Sequence, residues 1–386
     1  MVGYIGLNLG VDIKVKIGII TRHAVANYGS FLQSYATQYT LQKLGYEAVI
    51  VNYISENEKP LALGKTITRN TQEHANKIKK MLYMLLQTIN SAVCYKRFEG
   101  FRKKELRETK EYNTAFELKE CVETIDVFCT GSDQVWNTIN FDEFDPAYFL
   151  NFVPTDVPKI SYAASFGRKE FDQGKMSQLE RYLGSYNSIS VREKSGIDIL
   201  NRMGLHGSVV LDPTLLLNKE EWRKFSKQPK ERNYILVYQL RKNPDFLNYV
   251  DKIQKKMKCD VIRVTTDFKQ IFKAGRTRCL ISPEAFVGYF SNASLVITDS
   301  FHGTAFSINF NVPFVEILPD RYAERNLNIL KMFGLQNRIL EDENIDVIDQ
   351  PIDYQKMNDM LECARQNSLD WIKNALMEDI HDRSDI

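Results

Sequence analysis

Four short stretches concentrate side chains able to hold an anion or move a proton, and polar residues follow or flank an apolar run in each. In Val296-Ile297-Thr298-Asp299-Ser300-Phe301-His302-Gly303-Thr304 an apolar strand runs into a polar loop, and small residues after it predict a helix starting near Thr304. The unpaired N–H groups of a helix start attract negative charge, and Gly303 would let a ligand approach the backbone. Ser300, Gly303 and Thr304 are therefore candidate ligand-binding positions. His302 beside them titrates near neutrality and is the candidate general acid or base, although an isolated histidine can equally be a satisfied structural residue. Arg192, in Ser190-Val191-Arg192-Glu193, follows a second strand, where a planar guanidinium can grip a carboxylate or phosphate with two parallel hydrogen bonds. The competing reading of Arg192 is an ion pair with Glu193 or a nearby acid. In Gly131-Ser132-Asp133-Gln134-Val135-Trp136-Asn137 the hydroxyl of Ser132, carboxylate of Asp133 and amide of Gln134 suit the hydroxyls of a sugar. That loop also reads as a buried turn network tied by Asp133 and capped by Trp136. Asn27-Tyr28-Gly29-Ser30 precedes a helix, whose start Asn27 or Ser30 would cap and which would favour an anion; a plain capped turn is the simpler reading. Neither GxGxxG nor GxxxxGK[ST] is present there, so a dinucleotide or P-loop site is unsupported.

These groups need a scaffold that brings strand ends together. Strand, Gly-containing loop, helix, Gly and strand succeed one another over residues 15–51, the pattern of a right-handed βαβ unit. Further strands are expected at 125–129, 160–163 and 188–191, and a second alternating half begins near Ser208 with strands at 234–238, 260–264, 295–298 and 313–317. The expected fold is α/β, with two Rossmann-like domains facing a cleft: an N-terminal domain over 14–205, a C-terminal domain over 206–345, and a helical segment over 346–386 that could cross back to the first domain. Ligands in such sheets bind beyond the carboxyl ends of the strands. Residues 57–111 interrupt the first domain with a Lys/Arg-rich helical insertion in which Ile78, Leu82, Leu85, Leu86 and Ile89 recur at helical spacing. A solvated charged face explains that pattern; peripheral contact with an anionic membrane is the alternative.

At 386 residues the chain exceeds what one core usually fills. With 44% hydrophobic and 26% charged residues it is globular in composition, which excludes a disordered chain. Lys and Arg total 51 against 49 Asp and Glu, a net charge of +2, so nucleic acid is not an expected partner and an anionic ligand must be held by a few placed groups. No apolar run reaches the ~18–20 residues of a membrane helix. Residues 1–13 lack the basic and apolar regions of a signal peptide, so the expected location is the cytoplasm, with the inner membrane face as an option through the basic insertion. The scattered cysteines, with no CxxC pair, predict neither a zinc site nor a disulfide framework.

Taken in order, the motifs resemble those of the polysaccharide pyruvyl transferase family. The resemblance runs through Gly18-Ile19-Ile20-Thr21, Asn27-Tyr28-Gly29, Leu32-Gln33, Gly131 to Asn137, Ala164-Ser165-Phe166-Gly167, Ser190 to Glu193, Ser195-Gly196, Leu211-Asp212-Pro213-Thr214 and Thr298 to Thr304. It implies a two-domain fold similar to GT-B glycosyltransferases. It also implies transfer of the enolpyruvyl carbons of phosphoenolpyruvate onto two hydroxyls of a saccharide acceptor, lipid-linked or nucleotide-linked, giving a pyruvate ketal and phosphate. No metal or other cofactor is expected. His302 would be the acid or base, with Arg192 and the helix start after it sharing the donor's charge. Better-studied members carry an arginine two residues before the motif histidine; Ser300 stands there in this chain, and Arg325 is the candidate replacement. A GT-B glycosyltransferase using a nucleotide sugar, and a non-catalytic sugar-binding protein of the same fold, are the alternatives.

Overall fold

The computed structural model describes residues 14–63, 77–138, 143–273, 275–318, 323–341 and 344–381; residues 1–13, part of the insertion at 64–76, and Arg321 and Tyr322 just before Arg325 lie outside the described residues. Two parallel sheets organise the chain. The first contains β1 (Lys16–Ile20), β2 (Glu47–Ile50), β3 (Val127–Thr130), β4 (Lys159–Ala164), β5 (Ser188–Val191) and β6 (Ser208–Val209), in the order β2-β1-β3-β4-β5-β6. The second contains β7 (Tyr234–Tyr238), β8 (Asp260–Thr265), β9 (Arg276–Cys279), β10 (Leu295–Thr298) and β11 (Phe314–Glu316), in the order β11-β10-β7-β8-β9. Helices cover parallel sheets on both faces, so central strands are buried along their whole length, as every residue of β3, β4, β7 and β10 is.

The sheet orders place the site. The strand order reverses at β1, which has β2 on one side and β3 on the other, and at β7, which lies between β8 and β10. A crevice opens at the carboxyl ends of the strands at each such reversal. One corrects the expected boundary: β6 pairs with β5 through Ser190–Ser208 and Val191–Val209, so the first sheet extends past residue 205 to Val209. The apolar run of β6 is continued by Val210 and Leu211, and it has no switch of periodicity to mark the crossover.

Aromatic contacts join the two halves behind the cleft. Tyr28, opening the helix Tyr28–Lys43, stacks on Phe286 of the helix Pro283–Ser291 with ring centres 4.4 Å apart, and its hydroxyl donates to the Ile281 carbonyl at 2.9 Å. Such a pair contributes ~0.5–1.5 kcal/mol beyond the area it buries. Residues of both sheets share one continuous apolar cluster, including Ile17, Tyr162, Leu236 and Phe306. The last helix, Tyr354–His381, returns to the first sheet, where Trp371 meets Tyr162 at 6.2 Å and Ser368 accepts the N–H of Leu211 at 3.0 Å.

Two elements depart from expectation. β9 has the sequence Arg-Thr-Arg-Cys and no apolar run to betray it. The helix Glu324–Met332, which carries Arg325, is short and was not foreseen. The basic insertion forms a 29-residue helix, Lys77–Glu105, among its described residues.

Candidate active site

At the first switch point, the loops after β1 and β3 are tied to each other. Thr21 Oγ1 donates to the Ser132 carbonyl at 2.6 Å. Asn27 caps the helix Tyr28–Lys43, accepting from the N–H groups of Gly29 and Ser30 at 2.8 and 3.3 Å. Ser30 Oγ then donates to Asp133 at 2.5 Å, and the Gln134 N–H donates to the same carboxylate at 2.7 Å. Loss of solvent alone would raise the pKa of Asp133, but Arg192, Arg22 and the Ser30 hydroxyl together hold it well below the usual carboxylate range. Trp136 is fully buried and its indole N–H donates to the Tyr148 carbonyl at 3.2 Å. The loop is thus a turn network on its inner side and presents Asp133 and Gln134 on its outer side.

Beneath it lies a buried ion pair. Arg192 Nη1 donates to Asp212 Oδ2 at 2.7 Å, and Ser132 Oγ donates to the same oxygen at 3.0 Å. The other oxygen of Asp212 accepts from the N–H and hydroxyl of Thr214 at 3.0 and 2.7 Å. Burial works against charge on Asp212, yet His302, Arg192 and these donors keep its pKa below the ordinary value. Asp212 holds one nitrogen of Arg192, while Nε and Nη2 have no hydrogen-bond partner among the described residues.

At the second switch point, Asp299 accepts from the N–H groups of Leu240 and Arg241, both at 2.7 Å, which ties the loop after β10 to the loop after β7. Ser300 caps the next helix by accepting from Gly303 N–H at 3.4 Å, so the helix spans Phe301–Phe310 and starts three residues earlier than expected. His302 therefore sits in the first turn. Its Nε2 is 3.8 Å from Asp212 Oδ2 and makes no hydrogen bond among the described residues. Its Nδ1 packs on Gly29, where an added Cβ would lie only 2.0 Å away. The bare glycine lets the second domain's imidazole reach the first domain's helix start. Burial, opposed by Asp212 and reinforced by Arg192, lowers the His302 pKa to about 4, so the ring is neutral at pH 7.

Arg325 completes this side. In the amide orientation that satisfies both partners, the Gln134 oxygen accepts from Arg325 Nη2 and Nε at 3.1 and 3.2 Å. Arg192 and Arg325 both approach the Phe301 ring, at 4.7 and 5.9 Å from its centre. Loss of solvent and the nearby Arg192 lower the Arg325 pKa to about 10, which still leaves a cation at neutral pH.

A cavity of about 260 Å³ opens between the two switch points. Of the expected positions, Asn27, Asp133, Gln134, Ser300, His302 and Arg325 line it. Ser132 and Arg192 do not; they are committed to the Asp212 network behind the wall. Gly303 and Thr304 are corrected outright. A Cβ at Gly303 would lie 2.3 Å from Thr298 Oγ1, so the glycine serves strand-to-helix packing and not ligand approach. Thr304 is fully buried and bonds Glu316, whose carboxyl also accepts from Asn326 at 2.5 Å. Burial pushes the Glu316 pKa up to about 8 against those two donors, so at pH 7 it is mostly protonated.

The cavity also holds residues that the motifs did not single out. Arg22 and Arg241 stand just after β1 and β7, and the strand-end reasoning applied to Arg192 finds both. Arg22 Nε bonds Glu58 at 2.8 Å, Tyr148 donates to Glu58 at 3.2 Å, and Tyr53 donates to Asp145 at 2.9 Å. Burial penalises the Arg22 charge, but Glu58 overrides it and raises the pKa. Glu58 ends the short 3-10 turn Glu56–Glu58 and Asp145 caps the turn Pro146–Phe149, elements too short to show a periodic sequence pattern. The first-domain wall thus carries Glu58, Asp133, Asp145 and hydroxyls, with Arg22 bonded to Glu58, and the second-domain wall carries His302, Arg241 and Arg325 beside Asp299 and Ser300.

Two Rossmann-like units with facing switch points define a GT-B-type α/β protein. The chain belongs to the polysaccharide pyruvyl transferase family, whose model matches residues 27–320, and so to a transferase family whose name implies a saccharide acceptor. Among solved structures it is similar to a protein assigned as UDP-N-acetylglucosamine 2-epimerase from Listeria monocytogenes, at 12% identity over 95% of this chain and 97% of that one, with a TM-score of 0.54. It is also similar to the UDP-forming α,α-trehalose-phosphate synthase from Burkholderia xenovorans, at 9% identity over 96% and 99% of the two chains, TM-score 0.49. The UDP-GlcNAc 2-epimerase from Methanocaldococcus jannaschii, in complex with UDP-GlcNAc and UDP, aligns at 14% identity over 95% and 100%, TM-score 0.47. At these identities the likeness is one of fold alone. No curated protein matches the chain.

Proposed function

We propose that the protein transfers the enolpyruvyl group of phosphoenolpyruvate onto two hydroxyls of one saccharide, producing a cyclic pyruvate ketal and inorganic phosphate. The observation that carries this reading is one cavity in which Arg241 and Arg325 flank a neutral imidazole and face Glu58, Asp133, Asp145 and hydroxyls, with Arg22 tied to Glu58 and Asp299 tied to backbone N–H groups. Phosphoenolpyruvate bears a carboxylate and a phosphate on three carbons, and Arg325 and Arg241 offer charge and N–H donors to both. A saccharide presents donors and acceptors that suit Glu58, Asp145, Tyr148 and Asp133.

The chemistry needs one proton on the donor's methylene carbon, which becomes a methyl group and leaves the adjacent carbon electrophilic. A first sugar hydroxyl adds there and gives up its proton. The bond from that carbon to the phosphate oxygen then breaks, phosphate leaves carrying a proton, and the second hydroxyl closes the ring as it loses its own. Two hydroxyl protons are released and two are consumed. His302, neutral in the free site, relays the proton of the first hydroxyl to the methylene carbon as the C–O bond forms, so that protonation and addition occur together; the doubly anionic donor raises its pKa on binding and so favours the imidazolium of that relay. Asp212 faces the imidazolium that forms. A lipid-linked acceptor at the cytoplasmic membrane face belongs to the same proposal.

The test is mass spectrometry of saccharide acceptors incubated with the protein and phosphoenolpyruvate, alongside phosphate release. A ketal adduct formed one-for-one with phosphate supports the reading. Phosphate release with no acceptor adduct, or transfer of a glycosyl group from a nucleotide sugar, would remove it.

A further inference from the structure

The helix Lys77–Glu105 is turned the wrong way round for a protein surrounded by water. Gln87 and Ser91 are buried against the body of the protein with Cys94 and Phe98, at spacings of four, three and four residues. On the opposite face Ile78, Met81, Leu82, Leu85, Leu86 and Ile89 are between 52% and 74% exposed. An isolated exposed leucine is ordinary, but a continuous stripe of large aliphatic side chains over three turns marks a surface that meets something apolar. The stripe is held rigidly. Cys94 Sγ donates to the Thr266 carbonyl at 3.3 Å, Lys269 donates to the Tyr83 hydroxyl at 2.8 Å, and Phe98 rests against Tyr28 with ring centres 5.3 Å apart. The turn Phe268–Phe272 attached through Lys269 adds Phe268 and Ile271, 36% and 46% exposed.

Charge selects the occupant. From Lys77 to Phe98 the sequence contains no acidic residue, while Lys79, Lys80, Lys96 and Arg97 are exposed along the same helix. Face-to-face pairing of two copies would set these basic groups against one another, whereas an anionic lipid surface meets both the charge and the apolar stripe. Residues 78–93 rise only ~24 Å along the axis. Among the described residues no helix is long and apolar enough to cross a membrane, so this one would lie in the plane of the interface. We infer that the outer face of the helix Lys77–Glu105 docks the protein on an anionic lipid bilayer. The inference goes beyond the proposed reaction, and vesicle binding without substrates reads it independently of turnover.

The experiment is flotation of the full-length protein with phosphatidylcholine vesicles, with and without phosphatidylglycerol. The wild type should float with the anionic vesicles and far less with the neutral ones, and high salt should weaken the binding. Leu82→Asp with Leu86→Asp should lower vesicle affinity at least ~10-fold at unchanged melting temperature, since both side chains are exposed. Lys79→Gln with Lys80→Gln should lower it on the order of 25-fold, at about fivefold per neutralised charge. A wild type that stays in solution, or variants that float as the wild type does, would overturn the inference. So would analytical ultracentrifugation showing a wild-type dimer that Leu82→Asp with Leu86→Asp converts to monomer, because a second copy would then be what covers the stripe.

Discussion

Asp133 and Asp299 occupy corresponding places, each on the loop leaving the strand across the switch point from the first strand of its sheet, yet their surroundings differ in kind. Asp133 has Arg22 and Arg192 near it and stays ionised well below the normal range. Asp299 is held mainly by the backbone N–H groups of Leu240 and Arg241, and burial raises its pKa above the ordinary value. The first carboxylate therefore acts through its charge on the cavity, and the second acts by positioning the loop that carries Arg241. One architecture used twice has produced one wall with Glu58, Asp133 and Asp145 and another with His302, Arg241 and Arg325, and the transfer reaction proposed above needs both.

The comparison can be broken most severely at the imidazole between the walls. His302→Ala should lower the turnover number ~10²–10⁴-fold, read as phosphate release, while circular dichroism stays that of the wild type. Next comes Asp212→Ala, which leaves Arg192 buried and without its 2.7 Å partner. Its cost should be ~3–5 kcal/mol of unfolding free energy in urea, because an uncompensated buried charge is worse than no pair at all. Arg325→Ala should raise the Michaelis constant for phosphoenolpyruvate about 10–100-fold, the range expected for lost hydrogen bonds to a charged group, with little effect on stability. If Arg325 replaces the motif arginine, Ser300→Arg in that background should restore part of the loss; independent, additive effects would separate the two positions.

The smallest effects sharpen the contrast between the aspartates. A carboxylate with a depressed pKa stabilises the fold above its unfolded value of roughly 3.9 and loses that contribution as pH falls through the lower folded value. Asp133→Asn should therefore be less stable than wild type at pH 7, with the gap closing in strong acid. Asp299 has the opposite sign, since its raised pKa favours the fold at low pH and costs stability as pH rises through the folded value. The Asp299→Asn substitution should show the difference mainly as weaker donor binding, through the Arg241 loop. The acid limb of kcat/KM should fall near pH 4, the free-enzyme pKa of His302, and well below the 6.5 of an ordinary histidine.

Much of this organisation could be read before any coordinates, because parallel sheets announce themselves as apolar runs alternating with helices. The strand ends at Thr298 and Val191 led to His302 and Arg192, and the motif loop led to Asp133 and Gln134. What escaped has physical reasons. β9 is an edge strand of alternating charged and small residues, so it carries no apolar run. Glu58 and Asp145 reach the cavity from single 3-10 turns, too short for spacing to say which way a side chain points. Gly303 and Thr304 were placed at the ligand because a helix start attracts anions, but Ser300 already caps that start and both residues turn inward. Arg192 was expected to hold the anion and instead lies behind the cavity wall, since a neighbouring acid, Asp212, takes the guanidinium within the chain itself.

The central claim is that the cavity takes a small doubly acidic donor, and thermal shift with that donor tests it most directly. Saturating phosphoenolpyruvate should raise the melting temperature of the wild type, UDP-sugars at the same concentration should not, and Arg325→Ala should blunt the response. Stabilisation by the UDP-sugars with indifference to phosphoenolpyruvate would contradict it.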